Sequence, residues 1–247
     1  MEEYRFEEKR HRHELLVDNE WRSLTGCTTV LSVLAKPALI QWSANMAVEY
    51  IASHIGEAIT YPLDSLKIEE MLNEAKVAHR KKKEKAGDWG TEMHAWVEKY
   101  INFLLGKNEL PELPKDEIQQ KQTVNFIKWV EDNKVKFIAS EEHVHSKEMF
   151  TGGIIDILCE IDGEDWIADI KTSSGIYPEA FAQMAGYQLM LEEMEPDTKI
   201  KGHIVLNLRK DGEFEEKRSV SVGEAKEMFL SCLKIYRIQE KIKNQII

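Results

Sequence analysis

Cysteine is nearly missing. Cys27, Cys159 and Cys232 are scattered over a chain of 247 residues, with no C-x-x-C pair. An odd, dispersed set excludes a disulfide framework, a zinc ribbon and an iron–sulfur cluster, and it suits a reducing compartment. Long apolar runs are missing too. No stretch of about 18 apolar residues occurs, so no membrane span is expected. The opening MEEYRFEEKRHRH lacks the apolar segment of a signal peptide. These absences make the cytoplasm the expected location. Internal repeats, low-complexity tracts and Pro/Gly-rich linkers are lacking as well. One domain over 1–247 is therefore expected: a helical amino-terminal part over 1–86, a core over 87–220 and a carboxy-terminal helix over 221–247.

Positive charge is in deficit, with 33 basic side chains against 44 acidic and a net charge of −11. That balance argues against a nucleic-acid coat protein. Its distribution is uneven. KVAHRKKKEK, residues 76–85, holds six Lys/Arg and one Glu. Exposed charges reach only about 8 Å at physiological salt, so such a patch can act against the global sign.

What is present reads as helices, then strands, then helix, strands and helix. A short β-like piece is expected at TGCTTVLSVL. Pro37 opens a helix through ALIQWSANMAVEYIASHI, since proline suits the first helical turn. Asp64 is placed to N-cap LKIEEMLNEAKVAHRKKKEK. A separate helix is expected after Gly87, from about Trp89 to Leu105, with Trp89, Met93, Trp96, Val97, Tyr100, Phe103 and Leu104 at helical spacing. KDEIQQKQTVNFIKWVEDNK follows as another. From Val135 the pattern turns to strands, VKFIASEEHVH, MFTGGIIDILCEI and DWIADIKT. Pro178 starts a helix, a hairpin turns about Asp211-Gly212, and a last helix runs from about Gly223. The fold class is α/β, with a central mixed sheet flanked by helices.

The segment GGIIDILCEIDGEDWIADIKTSSG poses a question. It reads as two buried strands, yet Asp156, Asp169 and Lys171 lie within them. Asp162-Gly163 is a two-residue hairpin signal. With that loop Asp156 faces Asp169, and like charges so placed destabilise a sheet. Lys171 shares their face, and Ile155, Ile157, Cys159, Trp166, Ala168 and Ile170 form a core face opposite. A divalent cation such as Mg²⁺ or Mn²⁺ would neutralise the carboxylates. A four-residue loop would instead set Asp156 against Lys171, giving an ion-pair network on a half-exposed face.

Asp156, Asp169, Ile170 and Lys171 together form D-x12-D-x-K, which resembles the core of the PD-(D/E)XK nuclease superfamily. Three further pieces resemble its RecB-like exonuclease branch: GTEMH (Gly90 to His94) as a G-x-x-x-H helix, TGGIID as a G-x-x-D strand, and QMAGY (Gln183 to Tyr187) as a Q-x-x-x-Y helix. TGCTTVLSVLAKPALIQWSANMAVEY is more loosely similar to the start of phage-encoded members. The match covers roughly residues 87 to 190 in order. It implies a restriction-endonuclease-like core and metal-dependent phosphodiester hydrolysis with one or two Mg²⁺ or Mn²⁺. His94, Asp156, Asp169 and the backbone carbonyl of Ile170 would be ligands. Lys171 would position water or stabilise phosphate charge. Glu141, or its neighbour Glu142, matches an acidic residue on the first strand. Gln183 and Tyr187 would support the site or touch DNA, with Thr172 and Gly90 beside it. No iron–sulfur cluster is expected.

The implied function is a DNA exonuclease acting on ends of linear single-stranded or processed DNA, in recombination, repair or phage DNA metabolism. Its alternatives are a structure-specific endonuclease and a non-catalytic DNA-binding module. DNA is the expected partner, gripped through phosphates with little base specificity, and a recombination or single-strand-binding protein would accompany it. Arg80, Lys81, Lys82 and Lys83 are candidates for that grip. Trp21 and Trp89 are candidates for base stacking, Glu98 for orienting His94, and His143 and His145 for a solvated strand face.

Overall fold

The structure, a computed structural model, describes residues 3–59 and 64–245. The chain divides into two compact units, Met1–Leu34 with Met93–Ile247, and Ala35–Glu92. The first is mixed α/β, with a mixed sheet flanked by helices.

The amino terminus is not helical as expected. Strands β1 (Tyr4–Glu7), β2 (Arg12–Val17) and β3 (Glu20–Ser23) form an antiparallel meander. Val17 pairs with Glu20, so Asp18 and Asn19 form a two-residue turn, both with positive φ, 54° and 63°. That backbone suits the twist of a hairpin, and Asp and Asn tolerate it. The β-like reading of TGCTTVLSVL holds only for β4 (Thr25–Gly26). Cys27–Val30 is a helical turn, α1. Cys27, Val30 and Leu31 are all buried. Their i, i+3, i+4 spacing matches a helical face, so core packing overrides strand propensity.

The second unit holds α2 (Pro37–Ala58) and the first part of α3 (Ser65–Leu104). Asp64 caps α3 as expected, its Oδ1 accepting the N–H groups of Leu66 and Lys67 at 3.0 and 3.4 Å. The break expected near Gly87 does not occur, and α3 runs through it as one helix. One mid-helix glycine costs only about 1 kcal/mol relative to alanine. The Thr91 hydroxyl also bonds the Gly87 carbonyl at 3.1 Å. In the first unit Met93, Trp96, Val97, Tyr100 and Ile101 are buried, whereas Phe103 and Leu104 at the helix end are exposed.

Helix α4 (Glu117–Asp132), capped by Asp116, leads into the main sheet. Its strands are β4, β5 (Lys136–Ser146), β6 (Thr151–Ile161), β7 (Glu164–Lys171), β8 (Ile200–Leu208) and β9 (Phe214–Ser219). Strand β6 pairs with β5 and β7 antiparallel and with β4 parallel. Strand β7 pairs with β8 parallel across helix α5 (Pro178–Met194), and β9 closes the edge antiparallel to β8. Helix α6 (Val222–Lys243) ends the chain fold. Both faces of the β6–β7 hairpin carry buried residues: Ile157, Cys159, Ala168 and Ile170 on one, Leu158, Ile167 and Asp169 on the other. On the second face Asp156 and Lys171 stay partly exposed, at 15% and 30% of their side chains.

Two glycines set how closely neighbours approach β6. A Cβ on Gly152 would lie 2.6 Å from His13 Cβ, and one on Gly153 would lie 2.3 Å from Tyr187 Cε1. Glycine here admits the meander on one side and α5 on the other. Gly153→Ala is expected to force the Tyr187 ring out of place and cost about 1–3 kcal/mol of unfolding free energy. Urea denaturation measures this, and an unchanged midpoint would show that the helix yields freely.

His143 and His145 are not on a solvated face. Tyr4 stacks on His145 with ring centroids 4.2 Å apart, and Phe6 lies 4.5 Å from His143. The Tyr4 hydroxyl also bonds His13 Nδ1 at 2.6 Å. The meander roofs this part of β5 with rings.

Candidate metal centre

The two-residue turn at Asp162-Gly163 forms as read, with φ of 55° and 79° and Ile161 opposite Glu164. The ladder runs to Ile157 opposite Ala168. The next step in that register sets Asp156 against Asp169. On the other side of β6, Ser140 pairs with Ile157 and Glu142 with Ile155, which brackets Glu141 opposite Asp156. A register shift between Phe137 and Ala139 sets this alignment. Three acids thus share one row across three strands. Such a row is unfavourable unless a cation or proton neutralises it.

The row is not symmetric. His94 from α3, Glu141 and Asp156 each offer a ligand atom, and these atoms all lie within 4.8 Å of one another. His94 Nδ1 is 3.5 Å from Asp156 Oδ2. The same carboxylate oxygen accepts the Ile170 N–H at 2.9 Å, and the Ser140 hydroxyl bonds the Asp156 carbonyl at 3.2 Å. Ile170 thus reaches the site through its amide. Glu141 has a positive φ of 53°, rare for a residue with a side chain and a mark of local strain.

Asp169 is held differently. Lys171 Nζ donates to its Oδ1 at 2.8 Å and lies 2.6 Å from Oδ2. Only Oδ1 receives an aligned hydrogen bond, so Oδ2 is buried with a charge beside it and no hydrogen-bond partner. Gln183 Oε1 is 3.5 Å from the same ammonium, and Gln183 Nε2 donates to the Tyr187 hydroxyl at 2.5 Å. Gln183 and Tyr187 therefore form a rear support for Lys171. Tyr187 is buried, away from any solvent-borne strand. Side-chain exposure falls from 34% at His94 through 15% at Asp156 to 2% at Asp169, with Lys171 at 30%. The centre is open on the His94 side and closed behind Asp169.

Electrostatics follow from this layout. Burial, with Asp156 and Glu98 beside it, pushes the Glu141 carboxyl up to about 7. Burial also raises Asp169, Lys171 pulls it back, and Asp156 adds to the rise. Burial works against the Lys171 ammonium, but Asp169 and Asp156 outweigh it and hold its pKa above the ordinary lysine value. Crowded carboxylates of this kind fit a divalent cation. The donor set is one imidazole and two carboxylates, with Asp169 held beside them in an ion pair with Lys171. That mix of oxygen with one nitrogen suits Mg²⁺ or Mn²⁺. Protons compete for Glu141, whose carboxyl lies near 7, so Mn²⁺ binding is expected to weaken as pH falls through that value and to release more protons at pH 6 than at pH 8. Calorimetric titration at pH 6 and pH 8 in two buffers measures both. A pH-independent affinity would remove Glu141 from the ligand set.

Gly90 and the basic run belong to the second unit, where Arg80, Lys82 and Lys83 are exposed and Lys81 pairs with Glu74. The Lys85 side chain lies outside the described residues. Thr172 follows Lys171 at the strand end and is half-buried. Glu98, a candidate for orienting His94, lies close enough to Glu141 to raise its carboxyl. Sequence reasoning missed Asn207, which lies opposite Lys171 on β8 and accepts the Ser173 N–H at 3.1 Å. Its Nδ2 is buried without a hydrogen-bond partner. The signal was available: Asn207 interrupts an apolar strand, as Asp169 does.

No family model and no curated protein matches the chain. Among solved structures, part of the chain is similar to one titled "Crystal structure of SSO0001", with 13% identity and a TM-score of 0.26, covering 43% of this chain and 56% of that one. The chain thus spans little more than half the length of that protein, and the likeness is too slight to carry an argument.

Proposed function

We propose that this protein is a divalent-cation-dependent nuclease that hydrolyses DNA phosphodiester bonds, acting from the ends of linear strands. The observation that carries this reading is the His94, Glu141 and Asp156 cluster, set beside a lysine braced by Asp169 and Gln183. His94, Glu141 and Asp156 would hold the cation, and Asp169 would hold Lys171 beside it. The cation, when bound, would neutralise the carboxylates and act as a Lewis acid toward a phosphate oxygen. Lys171 supplies positive charge where the pentavalent phosphorus gathers negative charge, and Asp169 and Gln183 fix the ammonium in advance. Water adds to phosphorus, the P–O bond to the leaving nucleotide breaks, and the proton from water ends on the leaving oxygen. The rest of the site is structural: Tyr187 braces Gln183, and Ile170 N–H orients Asp156.

The resemblance in motif order supports the same chemistry and the preference for DNA ends. The test is degradation of end-labelled linear single-stranded DNA beside a covalently closed circle of the same sequence, in Mg²⁺, Mn²⁺ and EDTA. Metal-dependent loss of the linear form alone is expected. Loss of both would make the protein an endonuclease. Stability of both DNAs with metal present, together with duplex and RNA left intact, would favour a binding module without catalysis.

A further inference from the structure

The chain leaves the site through Thr172–Tyr177, between Lys171 and α5. Tyr177, at 50% exposed, and Phe103, at 36%, are the exposed aromatic side chains among the described residues. Phe103 lies at the far end of α3, whereas Tyr177 opens α5, whose Gln183 holds Lys171. Of the candidates named from sequence, Trp21 is half-buried with the Arg5 guanidinium 4.0 Å from its ring centre, and Trp89 is half-buried as well.

Tyr177 is also firmly placed. Its carbonyl accepts the Ala180 N–H at 3.1 Å, and Pro178 fixes the first helical residue. Its hydroxyl lies 3.2 Å from that of Ser174. The loop behind it is pinned twice, by Ser173 N–H to Asn207 Oδ1 at 3.1 Å and by the Ser173 hydroxyl to the Gly175 carbonyl at 2.7 Å. Six helical residues span about 9 Å, so the ring stands within a few nucleotides of a phosphate at Lys171. A solvent-facing ring on a fixed loop costs little to order when something stacks on it.

We propose that Tyr177 is a base-stacking platform beside the centre, at the start of α5, and that the strand it accepts is single-stranded DNA. The inference rests on the nuclease reading and adds the form of the substrate. Away from a duplex end a base can lie flat on the ring only when it is unstacked, so the platform favours single strands or frayed ends over duplex interiors. Asn207 is a positioning residue for the same loop, because it ties Ser173 to β8.

The test uses the full chain and a single-stranded oligonucleotide carrying 2-aminopurine near one end. Ca²⁺ replaces Mg²⁺ so that binding is read without cleavage. Tyr177→Ala is expected to weaken single-strand binding by about 5- to 150-fold, the range of one stacked base. It should also abolish the fluorescence change of the stacked 2-aminopurine and leave duplex binding unchanged. Tyr177→Phe and Tyr177→Trp should keep both signals. In Mg²⁺ the alanine variant should raise KM while kcat changes little. Thermal unfolding of the variants should match the wild type, because the ring is half exposed. If the wild type cleaves DNA and Tyr177→Ala matches it in binding and fluorescence, the platform is wrong while the nuclease stands. If Tyr177→Phe fails as badly as Tyr177→Ala, the hydroxyl matters and stacking does not. If the wild type cleaves no DNA under any metal, the nuclease reading falls and this inference falls with it.

Discussion

Asp156→Asn is expected to lower metal-dependent DNA cleavage by at least about 10³-fold while the protein remains folded. Asn keeps the shape of the side chain and still presents an oxygen to the Ile170 N–H, now 2.9 Å from the carboxylate. Its amide oxygen is a weaker ligand and carries no charge. The stability change should be small, because the lost negative charge also relieves Glu141 and Asp169, both of which Asp156 raises. The Glu141 carboxyl should therefore fall below about 7 in the variant, a shift that carboxylate-labelled NMR would follow. Normal cleavage by a folded Asp156→Asn protein would exclude this aspartate as a ligand.

Lys171→Met should cost stability as well as activity. It removes the ammonium that meets both oxygens of Asp169, a residue only 2% exposed. An unpaired buried carboxylate costs about 3 kcal/mol. Asp169→Asn in the same chain should restore most of that loss, so a double-mutant cycle would show strong coupling. The pH dependence has a definite sign. Without Lys171 the Asp169 carboxyl is raised further above its unfolded value. Its penalty is then full at pH above that folded pKa and disappears as pH falls and the group is protonated. The deficit in unfolding free energy should therefore be larger at pH 8 than at pH 5. Cleavage should drop about 10²–10³-fold in both single and double variants, since the positive charge is gone. Equal stability of Lys171→Met and wild type at pH 8 would mean that Asp169 finds another partner.

Much of the site was legible because it violates a simple rule. Carboxylates inside apolar, β-branched strands are costly, and Asp162-Gly163 fixes the register that sets Asp156 beside Asp169. The same rule points to Asn207, another polar residue in an apolar strand. Glu141 against Glu142 was open, because a shift in the β5 register decides which side chain aligns with Asp156. The tie between Asp169 and Lys171, which sets Asp169 apart from the His94 cluster, depends on side-chain reach across two residues of one strand. The meander was missed because charged residues mask its alternation, although Asp18-Asn19 marks its turn. The continuous α3 was missed because glycine reads as a stop signal when neighbouring helix formers are ignored.

The most direct measurement is a titration of Mn²⁺ into the wild-type protein and into His94→Ala, Glu141→Gln and Asp156→Asn, followed by calorimetry and by cleavage of end-labelled linear DNA in the same samples. Wild type should bind the ion with affinity that matches the metal dependence of cleavage, and each substitution should weaken both together. Cleavage that persists when all three variants have lost the ion would contradict the account, as would tight Mn²⁺ binding by all three.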